Sequence, residues 1–379
     1  MQYLVTTKVE QIPSRHDKLI CMIDGTVPGW DKQSGDFHFD HHKPGGAQIQ
    51  IDEIPVGCIL SFPLIEYEPL FITTQLDADA VIAAAWMQLN PSFVNEEIRR
   101  KLRAIAFDCD YLCVPDELSD LAGFAAKAVA GMKAEGVKLR EKMELPSDSK
   151  QWTEEQRLQY YSESFKRDVD WILDAVQGIR PFPGESGEAD AHFEKIKADT
   201  ERLLTESRLR KYCGCWISDQ TGMKGYTDPR SFYAAIPQLD PDYDCQPVTL
   251  VIGDRKENDG IRYTLGSLPL HPQASLLDYS TAHVWEALSE AERRLNPDFQ
   301  GWGGRAAVGG SSWNNPSLLS ATEVIDIAMF ALGVETKMNN PEPLPKKIVE
   351  RLAEKSTVAN LKALEASIKR TIARKSTNP

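Results

Sequence analysis

The chain has no run of apolar residues approaching the ~18 needed to span a bilayer, and none of its 379 residues reads as a membrane segment. Its N-terminus, Met1-Gln2-Tyr3-Leu4-Val5-Thr6-Thr7-Lys8, lacks the basic-then-apolar order of a secretory signal. A cytoplasmic protein with no membrane partner is therefore expected. Cysteine is sparse: seven residues, odd in number and scattered, which argues against a disulfide framework in a chain this large. Cys213-Gly214-Cys215 is too tight for a zinc knuckle and has no second pair at knuckle spacing. Cys109 and Cys113 flank an aspartate-rich turn, either as ligands or as small buried hydrophobes. Positive charge is the minority, 43 Lys and Arg against 56 Asp and Glu, for a formal charge of −13. So acidic a chain offers no electropositive track for long nucleic acid. A small anionic substrate stays open to it, because a bound metal reverses the charge locally.

What is present is ordinary globular composition, 42% hydrophobic and 26% charged, at a length that allows two domains with separate cores. Leu19-Ile20-Cys21-Met22-Ile23 is a buried strand ending in the turn Asp24-Gly25. Pro69-Leu70-Phe71-Ile72-Thr73-Thr74 is another, running through Asp77-Ala78-Asp79 into an alanine-rich helix. A helix over 96–106 ends at Phe107-Asp108-Cys109-Asp110. Strands alternating with helices predict an α/β fold with a mostly parallel sheet, whose ligands sit at the carboxyl ends of the strands. Residues 1–115 form this domain. Residues 116–192, polar and helical, read as a connector or insertion. A smaller α/β domain covers 193–340, with a helix over 191–212, strands near 247–252 and 261–265, and a helix over 278–295. The remainder, 341–379, is a basic helix and tail, solvated on its own chain or paired with a second copy in a homodimer.

Acidic turns follow apolar strands at Asp24, Asp40 and Asp77/Asp79, and a further acidic pair, Asp108/Asp110, follows the helix over 96–106. One such aspartate is usually a turn former or N-cap. Several together, beside His41 and His42, point to a metal site. Carboxylates suit Mn²⁺ or Mg²⁺, and imidazole shifts the preference toward Mn, Fe, Co or Zn. A pair of ions about 4 Å apart needs several carboxylates from different segments.

Ile20-Cys21-Met22-Ile23-Asp24 followed by Phe37-His38-Phe39-Asp40-His41-His42-Lys43-Pro44-Gly45-Gly46 resembles the second and third motifs of the DHH phosphoesterase superfamily, and Ile105-Ala106-Phe107-Asp108 resembles the fourth. The resemblance implies that Asp24 bridges two ions, that His41 is a ligand, that His42 faces substrate phosphate and that Asp108 completes the second ion. The family's first motif, His-x-x-x-Asp-x-Asp, should precede Asp24, yet nothing there matches it. Thr73-Thr74-Gln75-Leu76-Asp77-Ala78-Asp79 matches in form, but after the triplet and with Thr73 in the histidine's place. Either Asp77 and Asp79 do the first-motif job from a rearranged position, with His38 substituting for the histidine, or they merely begin a helix.

Arg262-Tyr263-Thr264-Leu265-Gly266-Ser267, a helix, and then Gly303-Gly304-Arg305-Ala306-Ala307-Val308-Gly309-Gly310-Ser311 are similar to the family's DHHA1 substrate domain. Glycines admit an anion to backbone N–H groups and arginine adds bidentate phosphate contacts. The resemblance thus assigns phosphate to Arg262 and Arg305 and substrate to Gly303, Gly304, Gly309, Gly310 and Ser311. It implies two ions, Mn²⁺ first with Mg²⁺ or another divalent as alternative, and hydrolysis of a small nucleotide or short oligonucleotide. Two other readings stay open: a catalytically weakened nucleotide sensor or partner-binding module on the same fold, and a mononuclear zinc hydrolase using His38, His41 and His42.

Overall fold

The computed structural model describes residues 1–13, 18–41, 50–61, 68–223, 227–255, 260–269, 271–299, 301–312 and 316–334, so His42 and the basic segment 341–379 lie outside it. The chain forms two compact units, each discontinuous in sequence. The first takes Met1–Glu206 and Lys224–Ala235, the second Ser207–Met223 and the chain from Ile236. Among the described residues no helix is long and apolar enough to cross a membrane.

In the first unit β1 (Gln2–Val5), β2 (Lys18–Ile23), β3 (Phe37–Phe39) and β4 (Glu68–Thr73) form a sheet in the order β1-β4-β2-β3. Every pairing is parallel, as the alternating pattern predicts. Both faces are covered. Leu19, Cys21 and Ile23 of β2 bury in the main core with Phe71. Ile20 and Met22 bury on the opposite side with Leu70, Ile72, Val27 and Trp30. Burial on both sides is why β2 reads as an unbroken apolar run rather than an alternation.

Beyond the single turn α1 (Gln50–Glu53) comes α2 (Ala78–Gln88), buried along almost its whole length, which its alanines permit by letting neighbours approach closely. α3 (Glu96–Tyr111) starts at Asn95, whose side chain accepts from the Ile98 amide at 2.9 Å. It runs a full turn past the expected end near residue 106, because no glycine or proline interrupts it before Leu112 turns left-handed at φ 56°.

Part of the stretch 116–192, expected to be a helical connector or insertion, packs into the main core. α4 (Ala122–Lys142) contributes Ala128, Val129 and Met132 to it. α5 (Glu154–Val176) contributes Phe165, Val169, Ile172 and Val176, a stripe at helical spacing inside a polar composition. α5 begins with a capping box between Thr153 and Gln156. α6 (Asp190–Thr205) follows. The helix expected over 191–212 stops there, and Ser207, at φ 53°, turns the chain into a strand.

The second unit holds β5 (Leu209–Tyr212), β6 (Cys215–Asp219), β7 (Val248–Arg255), β8 (Ile261–Ser267), β9 (Gly303–Gly304) and β10 (Val308–Gly310), in the order β5-β6-β7-β8-β10-β9. β6 and β7 pair in parallel and the other pairs are antiparallel. Cys213 and Gly214 are the two left-handed residues, φ 48° and 81°, of the tight hairpin between β5 and β6. That turn is why Cys213-Gly214-Cys215 is so compact. α7 (Pro229–Leu239) starts in the first unit and ends in the second. α8 (Val284–Leu295), shorter than the 278–295 expected, and α9 (Ala321–Leu332) bury Val284, Leu288, Val324, Ile325 and Ala328 with Leu250, Tyr263 and Leu265 of the sheet.

Candidate metal centre

The carboxyl ends of β2, β3 and β4 lie side by side, and short polar tethers hold them. The Asp24 amide donates to the Phe39 carbonyl at 3.0 Å, tying the end of β2 to the end of β3. Thr73 Oγ1 lies 3.0 Å from the Asp24 carbonyl, tying β2 to β4. Asp24 itself is left-handed at φ 48°, and Gly25 follows at φ 110°. A Cβ at Gly25 would stand 2.3 Å from Thr74 Oγ1, so glycine is required by both backbone and space. Thr73, in the histidine's place of the first-motif resemblance, therefore fastens the strand ends.

Around these ends four buried side chains converge. His41 Nε2 is 3.2 Å from Asp24 Oδ1, 3.2 Å from Asp79 Oδ2 and 3.5 Å from Asp110 Oδ2. Asp24 and Asp79 are each 1% exposed. Burial pushes the His41 imidazole down, but the carboxylates of Asp24 and Asp79 override it and raise it to about 10. One imidazole among three carboxylates is thus a place built for positive charge, and a divalent ion fits this donor set. Asp24, His41 and Asp79 present ligand atoms all within 4.8 Å of one another, and Asp77, Asp79 and Cys109 do the same.

β4 lies between β1 and β2, so the turn after β4 opens beside Asp24 although it follows the triplet in sequence. Asp79 reaches His41 from there. Asp77 caps α2, accepting from the Ala80 amide at 3.4 Å, while its carboxylate also belongs to the second group.

Two residues expected as ligands, His38 and Asp108, have partners outside these groups. His38 pairs in register with Met22, hence on the Trp30 side of the sheet, where its ring meets Trp30 edge-on at 5.2 Å and its Nε2 lies 2.8 Å from Thr26 Oγ1. It is in neither convergent group. Asp108 sits inside α3, two positions and so about 200° of helix from Asp110, and its carboxylate pairs with Arg230. Of the two, Asp110 is the one that lies near His41 Nε2, at 3.5 Å. Its signal in the sequence was the helix running on unbroken, so that only one of the two aspartates could face His41. His42 falls outside the described residues.

Arg230 was not legible at all, because it comes from α7. Its amide donates to Asp228 Oδ1 at 2.9 Å, and His192 Nε2 lies 2.9 Å from Asp228 Oδ2. Burial pushes the Asp228 carboxyl up, but His192 and Arg230 override it and bring it to about 2. A depressed carboxyl contributes stability that is present above the unfolded value of about 4 and lost as pH falls through the folded value. Asp228→Asn is therefore expected to lower unfolding free energy by about 2 kcal/mol at pH 7. Denaturant melts should show the gap closing as pH falls from about 4 toward about 2. A gap independent of pH would contradict this assignment.

In the second unit the glycine-rich segment is a hairpin rather than an open loop. Arg305 donates its amide to the Val308 carbonyl at 2.7 Å, closing the turn between β9 and β10. A Cβ at Gly304 would stand 2.3 Å from Gly309 Cα and 2.8 Å from the Trp285 ring, and one at Gly309 would stand 2.6 Å from that ring. One at Gly310 would come within 2.7 Å of the Tyr263 carbonyl, and Gly303 alone has open space. Ser311 Oγ accepts from the Tyr263 amide at 3.0 Å. Gly304, Gly309, Gly310 and Ser311 thus have packing roles here. Gly304→Ala is expected to destabilise by about 1–3 kcal/mol through overpacking on Trp285, read as a lower denaturation midpoint. A neutral result would remove the packing explanation. Arg262, on β8, is half-buried, and burial lowers its guanidinium to about 10, which leaves it cationic at neutral pH.

No family model and no curated protein matches the chain. Among solved structures it is similar to a pGpG-specific phosphodiesterase, PggH, from Vibrio cholerae, at 11% identity and TM-score 0.36, over 83% of this chain and 99% of that one. It is similar to an exopolyphosphatase-related protein from Bacteroides fragilis at 12% identity and TM-score 0.26, over 83% of this chain and 71% of that one. It is also similar to RecJ in complex with Mg²⁺ from Thermus thermophilus, at 12% identity and TM-score 0.31, over 89% of this chain and 54% of that one.

Proposed function

We propose that the chain is a divalent-metal-dependent phosphoesterase that hydrolyses a phosphoester or phosphoanhydride of a small substrate such as a nucleotide or short oligonucleotide. The observation that supports it is the convergence of Asp24, Asp79 and Asp110 on His41 Nε2 at 3.2–3.5 Å, buried, at the carboxyl ends of parallel strands. Asp24, His41, Asp79 and Asp110 would hold the metal, Mn²⁺ first among the candidates. A bound pair of such ions supplies Lewis acidity to the phosphoryl group and acidifies water. Thr73 and the Asp24–Phe39 hydrogen bond keep the Asp24 carboxylate in place while charge builds on the phosphate. His42, by resemblance, faces that phosphate, and Arg262 and Arg305 are the second unit's candidate phosphate-binding cations.

Thr73, standing where the family has histidine, favours a second reading: a protein that binds metal and nucleotide with little turnover. One experiment separates the two. Purified protein loaded with Mn²⁺ is incubated with short oligonucleotides, cyclic dinucleotides, 3′-phosphoadenosine phosphate and small phosphoesters, and bound metal is counted. Two ions per chain with hydrolysis of at least one class is the expected outcome. One ion or none, with nucleotide binding and no product, would make the sensor the better description.

A further inference from the structure

Cys109 lies in α3 immediately before Asp110, and its Sγ accepts a hydrogen bond from the Ala78 amide in the first turn of α2 at 3.3 Å. That places the sulfur beside the start of α2, where burial and the Asp77 and Asp79 carboxylates push the thiol well above its ordinary value as long as no cation is bound. Sγ and one carboxylate oxygen each from Asp77 and Asp79 all lie within 4.8 Å of one another. Asp79 is also a member of the group with Asp24 and His41. The two donor sets therefore share one carboxylate. One is oxygen and imidazole; the other is oxygen and sulfur.

We infer that Cys109 is a thiolate ligand of a second ion, held together with Asp77 and joined to the first position through Asp79. The inference rests on the metal-centre reading and adds to it an unequal pair: a position that suits Mn²⁺ or Mg²⁺ beside one that prefers a thiophilic ion such as Zn²⁺ or Co²⁺. Ligation takes up the divalent ion and releases the Cys109 thiol proton to solvent.

The test is a Co²⁺ titration of the full-length, chelator-stripped protein followed by absorption spectroscopy. Wild type is expected to show visible cobalt d–d bands and a near-ultraviolet thiolate-to-cobalt charge-transfer band. Cys109→Ser, which keeps an acceptor for the Ala78 amide, is expected to lose the charge-transfer band and keep d–d absorption from the other position. Independently of any variant, Co²⁺ is expected to block iodoacetamide labelling of Cys109 in the wild-type protein, read by peptide mass. Bands of d–d type alone, a charge-transfer band that survives Cys109→Ser, or unchanged labelling of Cys109 would overturn the Cys109 assignment and leave the metal centre standing. Absence of any bound cobalt in wild type would overturn the metal-centre reading and this inference with it.

Discussion

Replacing His41 with alanine is expected to abolish metal-dependent hydrolysis, by about 10³-fold or more in kcat, and to empty at least one metal position. The imidazole is the group on which Asp24, Asp79 and Asp110 converge. The same substitution carries a second signature in excess chelator. Without metal the raised imidazole holds its proton and offsets three buried carboxylates. A group raised in the folded state contributes stability that is full below its unfolded value of about 6.5. That contribution fades as pH rises through about 10. Metal-free wild type should therefore be more stable than metal-free His41→Ala at pH 6, with the gap narrowing toward pH 10. Metal content, turnover and chelator-treated melts check the three parts. Unchanged metal content with unchanged turnover would remove His41 from the site.

The largest effect on stability is expected at Arg230. Asp108 is 2% exposed, and burial already pushes its carboxyl up against the pull of Arg230. Arg230→Met keeps most of the side chain's volume and deletes the charge, leaving a buried carboxylate uncompensated, which costs about 3–5 kcal/mol. Adding Asp108→Asn to it should recover a large part of that loss, because the isosteric amide has no charge to bury. Urea denaturation of the two single variants and the double variant measures this. A loss at Arg230→Met no larger than that of an ordinary surface substitution, about 0.5 kcal/mol, would show that the pair contributes little.

Much of the first unit was legible because its signals are local. β2 and β4 are buried on both faces and so read as apolar runs, and the turns after them announce Asp24 and Asp77-Ala78-Asp79. The adjacency of those turns was not local. It follows from β4 lying beside β2, a pairing that no spacing in the sequence encodes. His38 points away from the site by a simple rule: Phe37 and Phe39 pack on the main core, so the residue between them faces the other side. Asp108 and Asp110 were separated only by helical phase in the last turn of α3, and that phase depends on where the helix ends. The α5 stripe was hidden by its charged neighbours. Arg230, 122 positions from Asp108, is a contact of pure topology.

The order in which the chain is made bears on how it folds. Domains tend to fold as units, the N-terminal one first, as they leave the ribosome. Here the first unit is unfinished when residue 206 has been added, because Lys224–Ala235 still belongs to it. The β5–β6 hairpin of the second unit is synthesised before Arg230, and Asp108 waits through all of it for its counterion. A nascent chain halted at residue 206 therefore lacks Arg230, the partner that pairs with the buried Asp108, and it should be the species that chaperones hold and proteases find. Gene fusions, permutations and split reporters that part the chain between Glu206 and Lys224 would inherit that defect, whereas a cut after Ala235 keeps Asp108 and Arg230 on the same piece.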